Sequence, residues 1–526
     1  MRTRLAPRAT LAAGGLALAL GVPAVATQPA GASGEPFETL EIMAPYFSTV
    51  APESDDPVGT ALSELAGATL DITWVPNADY GERTNVTLAG DDIPHIMVIQ
   101  GKDQSFISTA EVGGFWDLTE YVESGEYPNL VAANPEVQVA ASVNGRVYGI
   151  FRARDVIRAS VIIRADWLEN LGLEKPETTD DLMELARAFT EDDPDGNGED
   201  DTYGLIVPQW PGGFGTNSPY DTIDVWFGAG NVWRDDDGEL VPAFTTDEWK
   251  QSIDFQRELI QNGYINPDYA TMDPATWNEP FLNGEGGIII DVHSRVPQLV
   301  NLFRESGEED ATSLVTVAGQ LDGPNGTYAL PTPGYAGFLA IPKVKVQTEE
   351  ELHQVLSVLD ALNTTEAQIL MNNGIEGDNF TVEDGFMVEN PDRADFTDQV
   401  TGAWAQLGMN VGGNEFYLAA PQTEEDAALR ELRLQLEAED LENAVFNPAM
   451  SLISPTYTRT AAQLDLIISD ARIQYLAGQI DEAGLDAAIE RWLSTGGEQV
   501  TAEINELYDE LPAEGSTAAE TTVSDG

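Results

Sequence analysis

The sequence predicts an α/β protein with more than one domain. From residue 38 onward, apolar runs of strand length alternate with amphipathic stretches of helix length, an order typical of a mostly parallel sheet with helices on both faces. A chain of 526 residues is also too long for a single hydrophobic core, which indicates two or three domains. The hydrophobic content of 42% is sufficient for packed cores of this kind.

The first elements show this alternation clearly. Strands are predicted at 38–43, 70–75 and 92–99, where β-branched and aromatic residues are frequent. Helices are predicted at 57–66 and 80–89, between these strands. Towards the C-terminus, leucines at 429, 432 and 436 and the apolar residues 489, 492 and 493 have helical spacing, as a packed helical subdomain requires.

The N-terminus predicts a secretory signal. Three arginines within the first eight residues precede an apolar run at 11–25 that is rich in Gly and Ala. Cleavage is predicted after Ala26 or Ala32, so the signal is expected to span residues 1–32. An uncleaved anchor helix is the alternative, although the run is short for a membrane span. We therefore expect a soluble mature protein outside the cytoplasm.

The charge balance excludes several classes of partner. The chain has 90 acidic and 25 basic residues and a formal net charge of −65, which repels nucleic acid and anionic membranes. The acids are spread along the whole chain, which favours a solvated surface adapted to salty surroundings over an acidic binding patch. The absence of cysteine excludes disulfides, thiolate metal sites and a lipid-modified N-terminal cysteine.

An acidic loop at 193–204 has the spacing of a calcium-binding loop. Its predicted oxygen ligands are Asp193, Asp195, Asn197, the carbonyl of Glu199, and Asp201. Gly198 occupies the position that this pattern reserves for glycine, but Gly204 replaces the final bidentate Glu. A helix precedes the loop and a strand follows it, so a bound Ca²⁺ would be structural. The alternative is an acidic turn without a metal.

Several segments resemble one protein family. The stretch at 85–94 ends in Gly-Asp-Asp-Ile-Pro, and residues 163–173 read Ile-Arg-Ala-Asp-Trp-Leu-Glu-Asn-Leu-Gly-Leu. These segments are similar to motifs of the family 1 extracellular solute-binding proteins, the receptors of carbohydrate ABC importers. The chain departs from the family's usual Asp at His95. Further similarity lies at 143–150, 277–286, 373–380 and 472–493, so the resemblance spans residues from about 38 to about 510.

The resemblance implies a two-lobed, type II-like periplasmic-binding-protein fold. Lobe 1 is expected at 35–153 and 285–345, and lobe 2, with the acidic loop and the C-terminal helices, at 154–284 and 346–511. The acidic tail at 512–526 is expected to be disordered. The resemblance further implies a carbohydrate ligand between the lobes and an ABC permease as partner. It also places structural calcium, as in alginate-binding receptors, at the acidic loop. We expect a monomer that is retained near the cell surface.

Carbohydrate binding in a cleft requires aromatic faces for stacking and planar polar groups for hydroxyls. The candidate ligand-binding residues are Trp210, Trp226, Trp277, Tyr335, Glu376 and Asn379. The aromatic candidates lie in or beside stretches rich in Gly and Pro, where loops carry function more often than core elements do. The alternative for each is a packing role, or for Glu376 a capping or hinge role.

Two other functions were weighed. A secreted glycoside-active enzyme could use paired carboxylates, but no motif singles out two of the 90 acids. A calcium-stiffened adhesin would show internal repeats, and none is evident. The sequence therefore favours a binding protein without catalytic activity or an organic cofactor.

Overall fold

The computed structural model describes residues 37–53, 55–210, 215 and 217–511. The predicted signal at 1–32 and the predicted acidic tail at 512–526 lie outside these residues.

The strands form two principal sheets and two hairpins. They are β1 Thr39–Tyr46, β2 Thr69–Pro76, β3 Ile96–Ile99, β4 Ile150–Ala153, β5 Ala159–Arg164, β6 Tyr203–Leu205, β7 Trp233–Asp236, β8 Glu239–Pro242, β9 Gly286–Val292, β10 Val315–Ala318, β11 Tyr335–Ala340, β12 Phe380–Glu383 and β13 Phe386–Glu389.

Helices surround both sheets. They are α1 Pro57–Ala66, α2 Asn77–Leu88, α3 Gln104–Glu111, α4 Thr119–Glu123, α5 Pro135–Ala141, α6 Ala165–Leu171, α7 Thr179–Glu191, α8 Pro219–Trp226, α9 Asp247–Gln261, α10 Glu279–Asn283, α11 Arg295–Ser306, α12 Glu349–Leu362, α13 Thr365–Asn372, α14 Ala394–Phe396, α15 Gly402–Trp404, α16 Glu424–Leu441, α17 Pro455–Leu476, α18 Glu482–Trp492 and α19 Glu498–Glu510. Within the described part of the chain, none of them is both long and apolar enough to span a bilayer.

Local sequence explains where the early elements begin and end. The Asp56 side chain caps α1 by accepting a hydrogen bond from the Gly59 amide, at 2.8 Å. The helix ends at Gly67, whose φ of 67° lies in the left-handed region that glycine adopts without strain. Predicted helix 57–66 is confirmed, and the predicted strands at 38–43 and 70–75 correspond to β1 and β2.

The first sheet has the order β2-β1-β3-β11-β4. Strands β1, β2 and β3 are parallel, whereas β11 is antiparallel to both β3 and β4. Its core includes Ile42, Val98 and Leu339 from the sheet and the apolar faces of α12 and α13, such as Leu356 and Met371. These elements form the first lobe.

The second sheet has the order β10-β5-β9-β6 and a separate core. One face packs on α7, α8, α9 and the C-terminal helices α17–α19, through residues such as Trp249 and Leu464. The other face packs on α11 and α16, through residues such as Leu299 and Leu436. The two-lobed α/β fold and the helical C-terminal subdomain are thus present, and in each sheet a single strand, β11 in the first and β5 in the second, runs antiparallel to the others.

The predicted lobe boundaries need correction. Strands β9 and β10 lie in the range 285–345 assigned to lobe 1, yet they pair with β5 and β6 in the second sheet. Helices α12 and α13 lie in the range 346–511 assigned to lobe 2, yet they pack on the first sheet. The chain crosses between the lobes at 154–158, at 319–334 and at 421–423. Apolar runs in a sequence show where strands occur, not which of two sheets each strand joins.

Candidate ligand-binding cleft

Both sheets turn the same ends of their strands toward the crossover segments. Strands β1–β4 are parallel to one another, and the carboxyl end of β4 runs through residues 154–158 into β5. Because β5 is antiparallel to β9 and β10, its start lies beside the carboxyl ends of β9, β10 and β6. The carboxyl ends of most strands in one sheet therefore face the carboxyl ends of most strands in the other sheet. Ligands of open α/β sheets bind outside such strand ends.

Two tryptophans meet on the second lobe at this edge. Trp210 lies just beyond β6, and its ring is nearly perpendicular to that of Trp277, with centroids 6.0 Å apart. Trp277 is only 3% exposed, and its indole N–H donates to the carbonyl of Ile206 at 3.1 Å. The sequence prediction that Trp277 stacks on ligand is wrong, because the core covers its ring. Trp210 is half-buried and remains a candidate stacking face.

Arg295 lies over the ring of Trp277. Its guanidinium carbon lies 4.3 Å from the ring centroid of Trp277. Its Nε donates to Asp291 at 2.5 Å, and its Nη1 donates to the side-chain oxygen of Asn278. A cation over an indole face is favourable, and two acceptors fix its position. A positioned guanidinium group therefore lies against Trp277, the partner of Trp210 in the tryptophan pair.

Three arginines lie at the lobe boundary: Arg152 is in β4, and Arg154 and Arg158 are in the first crossover segment. Arg152 ends in the first lobe, where it donates to the Ala336 carbonyl at 3.0 Å and to Gln406 at 2.8 Å. Burial, with Arg154 nearby, lowers the pKa of Arg152 to about 10, so it remains charged at neutral pH. Arg154 is exposed, and Arg158 is half-buried. Burial and the neighbouring Arg154 lower the pKa of Arg158 as well.

His293 joins this segment to helix α16. Its ring nitrogens lie 3.7 Å from Asp155 and 3.2 Å from Glu437, and Glu437 lies 3.2 Å from Nε of Arg433. Burial, together with Arg433 and Arg158, lowers the pKa of His293 to about 4. Burial raises the pKa of Glu437 to about 7, against the opposing pull of Arg433. At neutral pH the histidine is therefore neutral, and the glutamate is close to half-protonated.

Tyr335 lies at the amino end of β11, on the side of the cleft that faces the C-terminal helices. It lines a cavity of about 460 Å³ together with Lys102, Trp233 and Trp492. The Lys102 ammonium lies 5.8 Å from the Tyr335 ring centroid. It also donates to three carbonyls, at 2.6 Å to residue 140, 3.0 Å to residue 142 and 2.6 Å to Met450. Tyr335 therefore remains a candidate, although it lies apart from the tryptophan pair.

Glu376 and Asn379 lie in the turn between α13 and β12. Asn379 is 0% exposed and accepts from the Ile375 amide at 2.7 Å while donating to the Asn373 carbonyl at 2.7 Å. The predicted ligand contact of Asn379 is wrong, because burial and turn hydrogen bonds occupy its amide. Glu376 is exposed in the same turn, and its ligand role stays a prediction.

Trp226 belongs to the core of the second lobe. It ends helix α8, is 2% exposed, and packs among residues such as Phe227 and Leu240. An indole enclosed in this way has no face for a sugar, so the predicted stacking role is wrong. The glycine-rich sequence around Trp226 suggested a loop. Trp226 is instead the last residue of α8, and its ring packs into the core of the second lobe.

The acidic loop adopts a tight turn between α7 and β6. Asp193 accepts from the Gly198 amide at 3.0 Å, and the Asn197 amide lies 2.8 Å from Asp195 and 3.2 Å from Asp201. Oxygen-bearing groups thus converge on Asn197, which fits a hard cation in chemistry. However, the described residues contain no group of three His, Cys, Asp or Glu close enough together to hold a metal ion. Calcium binding therefore stays a prediction.

The sequence interpretation missed the basic residues of the cleft. Arg152, Arg154 and Arg158 fall within seven residues, in a chain that has 25 basic residues in 526. This local enrichment was a usable signal. His293, Arg295 and Glu437 gave no comparable signal, because strand order and the placement of α16 bring them to the crossover.

Comparison with known proteins identifies the family. The family profile described as "Bacterial extracellular solute-binding protein" matches residues 53–369, more than half of the chain. The lipoprotein LipO of Bacillus subtilis is 43% identical over 90% of this chain and 92% of its own length. The chain belongs to the bacterial extracellular solute-binding proteins.

A second relative supports this family membership, and a solved structure matches the fold. The polygalacturonan/rhamnogalacturonan-binding protein YtcQ of B. subtilis is 32% identical over 85% of this chain and 87% of its own length. The fold matches an S. pneumoniae ABC-transporter substrate-binding protein, an EF-hand mutant of FusA in complex with fructo-nystose. That structure has a TM-score of 0.60 and 20% identity, over 90% of this chain and 99% of FusA. The family consists of binding proteins rather than enzymes, as the sequence indicated.

Proposed function

We propose that this solute-binding protein captures an oligosaccharide between its lobes and delivers it unchanged to an ABC importer. The observation that carries the proposal is the meeting of both sheets' carboxyl strand ends at the crossovers, with Trp210 and a set of arginines at that edge. The similarity to YtcQ, a polygalacturonan/rhamnogalacturonan-binding protein, and to FusA, a fructooligosaccharide substrate-binding protein, supports carbohydrate as the ligand class.

Ligand capture follows from the separate cores of the lobes. Each lobe keeps its own packed interior, so the crossover segments can change conformation without disrupting either core. A ligand that touches both lobes stabilises the closed form, because only that form makes all of its contacts. The half-buried ring of Trp210 would supply stacking, and the charged groups along the crossover would supply hydrogen bonds to hydroxyls.

We further propose that the acidic loop binds a structural Ca²⁺ through Asp193, Asp195, Asn197, the Glu199 carbonyl and Asp201. Asp195 and Asp201 lie 2.8 Å and 3.2 Å from the Asn197 side-chain amide, which supports it, as does the EF-hand of the FusA protein. The ion would neutralise carboxylates that otherwise repel one another and would fix the connection between α7 and β6. It lies away from the crossovers and takes no part in ligand contact.

The proposal includes an extracytoplasmic location, an N-terminal signal at 1–32 and a permease partner for a monomeric receptor. The family's extracellular character supports the location. Co-purification of the closed, ligand-loaded protein with a candidate permease pair, compared with the ligand-free protein, would test the partnership. Equal recovery with and without ligand would contradict delivery by the closed form.

A panel of oligosaccharides tests the ligand class. Calorimetric titration and thermal unfolding should show one or a few sugars that bind and raise the melting temperature, since a ligand that binds the native state stabilises it. Trp210→Ala should weaken that binding at least tenfold, whereas Trp210→Phe, which keeps an aromatic face, should retain most of it. The bound sugar should be recovered intact. Release of reducing ends, or no binding across neutral and charged sugars, would overturn the proposal.

A further inference from the structure

Six arginines form one cluster at the crossover, which we call the arginine cluster. Its members are Arg152, Arg154, Arg158, Arg295, Arg430 and Arg433. They belong to three separate parts of the chain: the end of β4 with the first crossover segment, the start of α11, and α16. A protein with a net charge of −65 has concentrated about a quarter of its 25 basic residues at one place.

Direct contacts bring these three parts together at His293. The His293 amide donates to the Arg158 carbonyl at 2.6 Å. Its ring lies 3.2 Å from Glu437, which lies 3.2 Å from Arg433 on the same helix. Arg295 follows His293 by two residues. The cluster is therefore continuous along the second lobe.

The cluster also reaches the first lobe. Arg152 donates to the Ala336 carbonyl near the start of β11, a strand of the first sheet. At the other end, the guanidinium of Arg430 lies 5.5 Å from the ring centroid of Phe386 in the β12–β13 hairpin. A molecule between the lobes would thus meet arginines at several points along its length.

Most of these cations lack a carboxylate partner among the residues that the structure describes. Arg154, Arg158 and Arg430 have no ion pair there, and Arg152 binds only neutral oxygens. Nε of Arg152 and Nη1 of Arg430 are buried without a hydrogen-bond partner. Acids outnumber bases by 90 to 25, so unpaired arginines are unexpected on statistical grounds alone. Guanidinium groups left without acceptors are suited to bind one.

Four carboxylates lie next to the cluster without cancelling it. Asp291 is bound to Arg295 and Asp426 to Arg304, each at 2.5 Å. Glu437 lies beside Arg433, and burial raises its pKa to about 7. Asp155 is exposed. Six arginines therefore face four acids, one of which is neutralised by a base outside the cluster.

We propose that the ligand is an anionic oligosaccharide whose carboxylates, as in a uronate chain, bind Arg154, Arg158 and Arg430. This inference rests on the proposed function, because it assigns a substrate class to the same cleft. A planar carboxylate accepts two parallel hydrogen bonds from a guanidinium, a geometry that a neutral hydroxyl does not match. The local positive charge also offsets the repulsion that an acidic protein exerts on an anion.

The test compares three probes of one length by calorimetric titration. They are a galacturonate trimer, the same trimer with its carboxylates methyl-esterified, and a sulfated neutral trisaccharide. The acidic trimer should bind at least tenfold more tightly than its ester, and binding should weaken with added salt. Preference for the acidic over the sulfated probe would identify carboxylate as the anion. Equal binding of these two would overturn the carboxylate assignment, and equal or tighter binding of the ester would overturn the inference as a whole.

Arginine variants locate the contact. Arg154→Gln and Arg158→Gln should each weaken binding of the acidic trimer at least tenfold and leave binding of the ester unchanged. Arg83→Gln, which removes the same charge from an exposed position on α2, is the matched control and should change affinity by less than twofold. Arg154 is exposed, so this variant tests the inference even if Arg158→Gln fails to fold. Wild-type affinity in Arg154→Gln and in any folded Arg158→Gln would overturn it.

The outcomes separate the two proposals. If neutral oligosaccharides bind between the lobes and acidic ones do not, the anionic assignment fails and the proposed function stands. If no carbohydrate of either kind binds, both fail.

Discussion

The second lobe contains two arginine sites that use the same side chain in opposite ways. Arg472 of α17 is buried, and it bridges Asp221 at 2.8 Å and also pairs with Asp224, both on α8. Asp224 accepts further bonds from Ser252 at 2.6 Å and from Trp249 at 3.0 Å. In the arginine cluster, Arg154 and Arg158 form no ion pair with a carboxylate among the residues that the structure describes. An arginine that is paired with buried carboxylates stabilises the fold, whereas an arginine without such an ion pair can bind a carboxylate of a ligand.

The sharpest test of this comparison is Arg472→Met. Two buried carboxylates would lose their counter-charge, so the free energy of unfolding should fall by about 3–5 kcal/mol. Urea unfolding measures the loss. The control is Arg430→Met, in which no carboxylate loses an ion pair, and its change should stay within about 1 kcal/mol. Equal losses in the two variants would show that the two sites do not differ in kind.

The tryptophan pair offers the same comparison for apolar side chains. Trp277→Ala removes a buried indole and should cost about 3–5 kcal/mol of unfolding free energy. Trp210→Ala removes a half-buried ring and should cost about 1 kcal/mol, with its main effect on ligand affinity. Chemical unfolding and calorimetric titration on both variants would separate the effects. A larger stability loss for Trp210→Ala than for Trp277→Ala would contradict the assignment of Trp277 to core packing and of Trp210 to ligand contact.

The acidic loop extends the comparison to carboxylates for which we propose a bound Ca²⁺ as the counter-charge. If Ca²⁺ does for this loop what Arg472 does for Asp221 and Asp224, stripping the metal should destabilise the protein. At a free Ca²⁺ concentration 100 times the dissociation constant, the loss is about 2.7 kcal/mol. Thermal unfolding with and without a chelator measures it. The double variant Asp193→Asn with Asp201→Asn should not respond to the chelator. An unchanged wild-type melting temperature would exclude a structural ion there.

The smallest expected effect is the pH dependence of Glu437. Its pKa is raised to about 7 by burial, so the folded state holds this proton more tightly than the unfolded chain. Folding stability should therefore fall as pH rises from about 4.5 to about 7. Glu437→Gln removes this titration, so its stability relative to the wild type should rise across the same window, by an amount on the order of 1 kcal/mol.

His293 contributes with the opposite sign. Burial lowers its pKa to about 4, so stability rises with pH between about 4 and 6.5. Stability measured across pH 4–8 in Glu437→Gln should expose this rise, because the opposing slope is removed. A variant whose stability profile runs parallel to that of the wild type would contradict the raised pKa of Glu437.

Sequence reasoning predicted the family, the two lobes and several elements because these depend on local patterns. Helix α1 follows from the cap at Asp56 and the glycine at its end, and strands β1 and β2 follow from apolar alternation. The placement of β9 in the second sheet depends on long-range pairing, which no local pattern encodes. For this reason the lobe boundaries were wrong, while the elements themselves were recognised.

The candidate cleft shows the same contrast between what local sequence patterns predict and what depends on long-range packing. Trp210 is half-buried at the cleft edge, and its stacking role stays a prediction, whereas Trp226 and Trp277 are covered by core packing. Burial depends on what packs above a side chain, and flanking glycines do not report it. The arginines at 152–158 were visible as a local enrichment, but their meeting with α16 required the fold.

The three crossovers together restrict how the lobes move. Two lobes joined by a single connection can rotate relative to each other in any direction. Several neighbouring connections restrict the lobes mainly to rotation about the line that joins these connections. The separate connections at 154–158, 319–334 and 421–423 therefore restrict the lobes to rotation about one axis. Opening and closing should accordingly trace one reproducible arc, so an emptied receptor returns to the geometry from which it can load again.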